Sequence, residues 1–194
     1  MEFFLCLLLA HLVADFVFQT SASCKSKAQK HWRSVSQYIH ALIVYALTWL
    51  ASWDLCFWWA ALIIVAHLCT DIWKSYRPEK ITWFALDQAL HVGTLTIVAW
   101  QWLRVHNWSM PFGIELKYVA AAVAAIVCWK PVNFFIKLML KHYSVNMPEE
   151  KESGFNAGAL IGTIERWLIL IFVCLGHQPF FVAADGFEPA TKSL

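Results

Sequence analysis

Charge is what this sequence has least of. Only 14% of its 194 residues are Asp, Glu, Lys or Arg, where a soluble domain carries about a quarter. The formal net charge is +2, and no basic tract accompanies it, so nucleic acid is not an expected partner. The six cysteines form no CxxC pair and no regular framework, which excludes a disulfide scaffold and a thiolate zinc site. Cys6, Cys56, Cys69, Cys128 and Cys174 lie in or beside apolar runs and read as small buried hydrophobes, while Cys24 sits in a polar stretch. The start, Met-Glu-Phe-Phe, lacks the positive charge of a secretory signal, and the first apolar run contains His11 and Asp15, so a cleaved leader is not expected.

What remains is apolar. Hydrophobic residues make up 60% of the chain and there are twelve tryptophans. A crossing helix needs about 20 mainly apolar residues, and about six such stretches are present. They run from Phe3 to Gln19, Gln37 to Trp53, Cys56 to Trp73, Phe84 to Leu103, Lys117 to Leu140 and Ala157 to Gly176. The expected fold is all-α: a polytopic membrane helix bundle forming a single transmembrane domain over 1–176, with a tail, 177–194, left unplaced. Lys130 and Pro131 interrupt the fifth stretch. Pro131 is expected to kink or end that helix, and Asn133 to His142 can instead lie along the membrane surface as a basic amphipathic helix.

Positive charge concentrates on the first loop (Lys25, Lys27, Lys30, Arg33) and the third (Lys74, Arg77, Lys80). These loops are expected to face the cytosol of a bacterial inner membrane, with the amino terminus outside. Trp49, Trp53, Trp58 and Trp59 surround the turn at Asp54, as an interfacial aromatic belt does. Membrane lipid is the expected partner, and a homo-oligomer is compatible with the composition.

Two short motifs recur in order. Residues 10–15 read AHLVAD and 66–71 read AHLCTD; residues 37–40 read QYIH and 88–91 read QALH. Each AHLxxD closes one helix and each QxxH opens the next. The expectation is an internal parallel repeat of helices 1–2 (about 3–53) and 3–4 (about 56–103), related by an axis along the membrane normal.

The repeated residues are the ones a lipid environment tolerates least. His11 and Asp15, His67 and Asp71, and Asp87 and His91 are each four apart and share a helix face. With His40 and Glu165, they fall within roughly 12 Å of the expected cytosolic edge. Ionisable groups buried there cost several kcal/mol each unless they pair, bind metal or reach water. Imidazole and carboxylate at this spacing suit a divalent transition metal, zinc first, with iron or manganese as alternatives. The expected ligands are His11, Asp15 and His40 from one repeat and His67, Asp71 and His91 from the other. Asp87 and Glu165 remain as bridging ligands or a catalytic base. Lys130 and Arg166 can hold an anionic head group, or Lys130 can simply snorkel. Gln37 and Gln88 can orient His40 and His91, or mark helix starts. His31, His106, His142 and His177 read as solvated. Gly158 and Gly162 form a GxxxG that favours close helix packing.

Two functions follow. A metal-dependent hydrolase would attack a lipid or lipid-linked substrate through an activated water. A transporter or channel-like protein would use the same cluster as a proton or cation site. Haem is disfavoured, because bis-histidine ligation needs no neighbouring aspartates.

The strings HLVADFVFQT (11–20), HLCTDIWK (67–74), DQALH (87–91) and GALIGTIER (158–166) resemble a bacterial and phage membrane family known only as domain of unknown function 3307. The resemblance extends over about 5–175 and implies a multi-pass membrane protein without an assigned activity. A looser, pattern-level similarity to small membrane metal-dependent hydrolases rests on the intramembrane His and Asp pairs.

Overall fold

The computed structural model describes residues 1–52, 57–110, 113–143 and 157–175. The expected turn at Asp54, with Trp53, and the tail 177–194, with His177, lie outside them, as does most of the fifth loop.

Every described regular element is helical. The order is α1 (Glu2–Leu12), a π-helical turn (Val13–Phe18), α2 (Ser21–Lys30), a 3₁₀ turn (His31–Arg33), α3 (Val35–Ser52), α4 (Phe57–Ser75), α5 (Ile81–Val105), α6 (Leu116–His142) and α7 (Ala157–Cys174). Val35–Ser52, Ile81–Val105 and Leu116–His142 are long and apolar enough to cross a membrane; Glu2–Phe18 with Ser21–Arg33, bent by 90°, would make a fourth broken span. At 1.5 Å per residue the 25 residues of α5 and the 27 of α6 exceed a hydrocarbon thickness of about 30 Å. Charged side chains near the end of α4, Asp71 and Lys74, dilute its apolar character. Large apolar side chains such as Leu42, Val65, Ile97, Trp100 and Tyr118 stand on the outer surface, which suits lipid contact rather than water.

Of the two outcomes expected at Pro131, a kink or an end, the helix does not end there. Pro131 lies inside α6, which continues to His142. A transmembrane helix tolerates proline where neighbouring groups satisfy the freed carbonyl. The first loop is also not a simple connection. The α1 helix widens into the π turn, and π segments of this kind often occur at functional sites. After Phe18 the chain turns. Thr20 caps α2, its hydroxyl accepting the Ser23 amide at 3.2 Å. The polar α2 packs against α3 and α4 and ends at His31, a non-glycine residue with φ of 49°.

The chain forms two compact units, Met1–Glu149 and Glu150–Leu194. In the first, α1 packs against α3, α5 and α6, while α4 packs between α3 and α5. One end of this bundle is an apolar core of Phe3, Leu7, Ile63, Leu95, Val98 and Trp102, with small alanines at 60 and 99. Trp108 closes it, lying edge-on to Phe3 at 5.0 Å and donating its indole N–H to the Ser52 carbonyl at 3.0 Å. This core fixes α1, α4 and α5 side by side, and one to two turns further along, the same helices carry the histidines. The described part of the second unit is α7. There a side chain on Gly162 would meet the Arg166 guanidinium at 3.1 Å. The glycine therefore makes room for Arg166, whose Nη2 donates to Thr163 Oγ1 at 3.2 Å.

Candidate metal centre

The first unit brings seven imidazole and carboxylate side chains together. His11 comes from α1, Asp15 from the π turn, His40 from α3, His67 and Asp71 from α4, and Asp87 and His91 from α5. All four imidazoles are at least 96% buried.

Asp15 Oδ1 lies at the middle of the imidazoles. It stands 3.2 Å from His40 Nε2, 3.6 Å from His67 Nε2 and 3.7 Å from His11 Nδ1. His40 Nε2 and His67 Nε2 face one another at 3.0 Å. In a tetrahedral zinc site with bonds of 2.0–2.1 Å, neighbouring donor atoms are about 3.3 Å apart. The observed separations bracket that value. The His67 ring also stacks on His91, with centroids 4.2 Å apart, and His11 lies 5.0 Å from His91.

The Asp71 side of the cluster is different. Asp71 Oδ1 is 3.6 Å from His91 Nε2, and Oδ2 is 3.7 Å from His40 and 3.9 Å from His67. Asp71 Oδ2 also accepts from Lys27 Nζ at 2.6 Å. Asp87 Oδ1 is 3.6 Å from His91 Nε2, while its Oδ2 lies 3.7 Å from Lys74 and accepts from the Gln88 amide at 3.1 Å. Asp71 and Asp87 thus each carry an ammonium partner. Asp15, among the described residues, is reached only by imidazoles.

Three sets of side chains have donor atoms within 4.8 Å of one another: His11, Asp15 and His67; His40, His67 and Asp71; Asp71, Asp87 and His91. They share His67 and Asp71 and cut across the two expected sets. Several donors are buried without a hydrogen-bond partner among the described residues: His11 Nε2, Asp15 Oδ1, His40 Nδ1, Asp87 Oδ1 and His91 Nε2. Each such atom costs about 1–3 kcal/mol if left alone. Their concentration in one place is what a cation or water site requires. A small cavity bordered by His11, His67, His91, Thr48 and Thr94 adjoins them, with room for about one water molecule.

Other sequence candidates are placed less centrally. Gln88 contacts Asp87 rather than His91. Gln37 is fully buried, but its amide makes no hydrogen bond to His40 or to any other described residue. Lys130, on α6, extends over the Trp129 ring at 4.8 Å. Glu165 and Arg166 lie on α7 in the second unit. Of the histidines read as solvated, His31 stacks on Tyr76 at 4.0 Å and pairs with the Ser75 hydroxyl at 3.1 Å, and His106 stacks on Trp102 at 3.7 Å.

Sequence reasoning missed Lys27. It was counted as a cytosolic loop charge, yet it is 7% exposed and enters the cluster from α2. With the Gln19 amide turned to suit its neighbours, the Gln19 side-chain oxygen accepts from Lys27 at 2.6 Å while its nitrogen donates to the Asp15 carbonyl at 3.3 Å. Gln19 therefore ties Lys27 to the π turn. The available signal was the Thr20 cap followed by a run with few helix breakers.

Residues 3–119 match the model of a family described as protein of unknown function (DUF3307). The match takes in every member of the cluster and stops short of the GALIGTIER string on α7. No curated protein and no solved structure matches the chain.

Proposed function

This chain belongs to the DUF3307 family, whose description names no activity, and from the geometry we propose that it is a membrane-embedded metal centre that activates water to hydrolyse a lipid or lipid-linked substrate. The observation that carries the reading is Asp15 Oδ1, buried without a hydrogen bond and facing His11, His40 and His67 at 3.2–3.7 Å. One carboxylate and three imidazoles are a donor set suited to zinc, with iron or manganese as alternatives. A water bound to such an ion is acidic enough to be deprotonated near neutral pH.

The chain's own residues supply the rest. Asp87 is the base, because its Oδ1 is free while Gln88 and Lys74 hold its Oδ2. Asp71 and His91 bridge the ligands to that base. A role of Lys130 as holder of an anionic head group rests on the sequence pattern. The substrate approaches from the lipid or the cytosolic face, since the cavity beside the imidazoles fits only water. The charge bias of the first and third loops supports an inner-membrane orientation with the amino terminus outside and six crossings, with α4 and α7 added to the apolar helices. The recurrence of AHLxxD and QxxH supports a parallel repeat.

A test uses protein purified without chelators. Zinc content is measured together with phosphate or acyl release from lipid substrates in mixed micelles. The reading predicts zinc in stoichiometric amount and activity that Asp87→Asn removes while the zinc stays. A chain with less than about a tenth of an equivalent of metal would contradict it.

A second reading has its own support. The His40–His67 contact, Nε2 to Nε2 at 3.0 Å, requires one ring to donate and the other to accept. Such a pair can pass a proton, as in a relay within a transporter. Proton flux in liposomes that Asp15→Asn abolishes, in protein free of metal, would favour it.

A further inference from the structure

The lysines divide the cluster into two unequal halves. Among the described residues, the Asp15 carboxylate is reached by imidazoles alone. Around Asp71, Asp87 and His91, which form a ligand set of their own, both carboxylates meet an ammonium group. Lys27 Nζ is 2.6 Å from Asp71 Oδ2 and Lys74 Nζ is 3.7 Å from Asp87 Oδ2. Lys27 is the more deeply placed, with its side chain 8% exposed against 24% for Lys74.

Resting on the metal-centre reading above, we propose that the Asp71–Asp87–His91 corner is a second divalent-cation site whose Asp71 carboxylate the chain neutralises with the Lys27 ammonium, so that Lys27 holds the centre to a single metal ion. Charge supports this. With neutral imidazoles, the three carboxylates exceed the two lysines by one negative charge. One divalent ion leaves the cluster with a single positive charge; a second would add two more in a dry site, where uncompensated charge is costly. Geometry supports it too. The ammonium takes Asp71 Oδ2, the oxygen that also faces His40 and His67 at 3.7 and 3.9 Å, and so binds the carboxylate whose Oδ1 faces His91 at 3.6 Å.

The arrangement also gives α2 a purpose. This helix is polar and carries Lys25, Lys27 and Lys30 without an acidic residue, yet it packs against α3 and α4 so that Lys27 is buried, with Gln19 as its second acceptor. Thr20 fixes the start of the helix. A loop that only marked the cytosolic side would leave this lysine in water, as it does Lys25 and Lys30.

The test is zinc stoichiometry by elemental analysis, on wild-type protein and on Lys27→Met, each saturated with zinc and freed of excess. Lys27→Met is expected to double the zinc per chain. Lys27→Arg, which keeps the charge, is expected to leave it unchanged. Adding Asp87→Asn to Lys27→Met is expected to return it to the wild-type value, which assigns the added ion to this corner. Lys27→Gln replaces Lys27→Met where the latter does not give monodisperse, helical protein. Equal zinc in wild type and both neutral variants overturns the inference while leaving the single-metal reading intact. Zinc in none of the chains overturns the metal reading, and this inference with it.

Discussion

Replacing Lys27 with methionine should destabilise the bundle more than a loop substitution would. The pair it breaks is short, 2.6 Å, and buried, with side-chain exposures of 8% for Lys27 and 13% for Asp71. Methionine keeps the length of the stem and removes the charge, which leaves a carboxylate in a dry site. Removing one partner of a buried ion pair costs about 3–5 kcal/mol. For chains of this size each kcal/mol moves the thermal midpoint by about 2–4 °C, so a fall of about 6–20 °C is expected in the presence of chelator. Two further arms isolate the cause. Lys27→Met with Asp71→Asn removes both charges and should recover most of the loss. Zinc added to Lys27→Met should also stabilise it, by about 2.7 kcal/mol at a hundredfold excess over its dissociation constant. The assay is thermal unfolding in detergent followed by helical circular dichroism. A shift under 2 °C for Lys27→Met, or a double variant as unstable as the single one, would refute the buried pairing.

Other outcomes follow from the same geometry. Asp15→Asn removes the carboxylate that His11, His40 and His67 share and is expected to lower zinc affinity by at least about 100-fold, measured by competition with a chromogenic chelator. His31→Ala and His106→Ala, which remove rings stacked on Tyr76 and Trp102 outside the cluster, should leave zinc content unchanged. Because the imidazoles bind metal only when neutral, zinc should be released as the pH falls, as equilibrium dialysis across a pH series would measure. Leu7→Ala empties part of the apolar core beneath His11, where Leu7 is fully buried, and should cost about 2–5 kcal/mol by the same unfolding assay. Reporter fusions at Pro78 and at Ser109 should report cytosolic and external locations respectively.

Much of this architecture was legible because its signals are long or repeated. The runs expected at Gln37 to Trp53 and Phe84 to Leu103 correspond to α3 and α5, offset by a few residues, since apolar length is a strong cue and frayed ends are a weak one. The convergence of His11, Asp15, His40, His67, Asp71, Asp87 and His91 was readable from depth alone, for ionisable groups at one level of a bundle lower their cost by meeting. What was not readable depends on contacts between distant segments. Nothing in SASCKSKAQK separates Lys27 from Lys25 or Lys30; only the turn after Phe18 and the Thr20 cap decide which lysine points inward. The π turn at Val13–Phe18 leaves no periodic mark in six residues, although it sets where Asp15 stands relative to His11. Pro131 is expected from its missing N–H to kink or end its helix, and α6 runs through it to His142. The grouping of ligands into sets such as His11, Asp15 and His67 was also hidden, because sequence order does not reveal which helices bring their side chains together.

X-ray absorption at the zinc edge, on protein purified without added metal or chelator, tests the central claim most directly. A centre built from Asp15 and the histidines predicts a nitrogen and oxygen shell at about 2.0–2.1 Å, with the outer-shell scattering of several imidazoles. A sulfur shell at about 2.3 Å, or no zinc signal above that of the buffer, would contradict it.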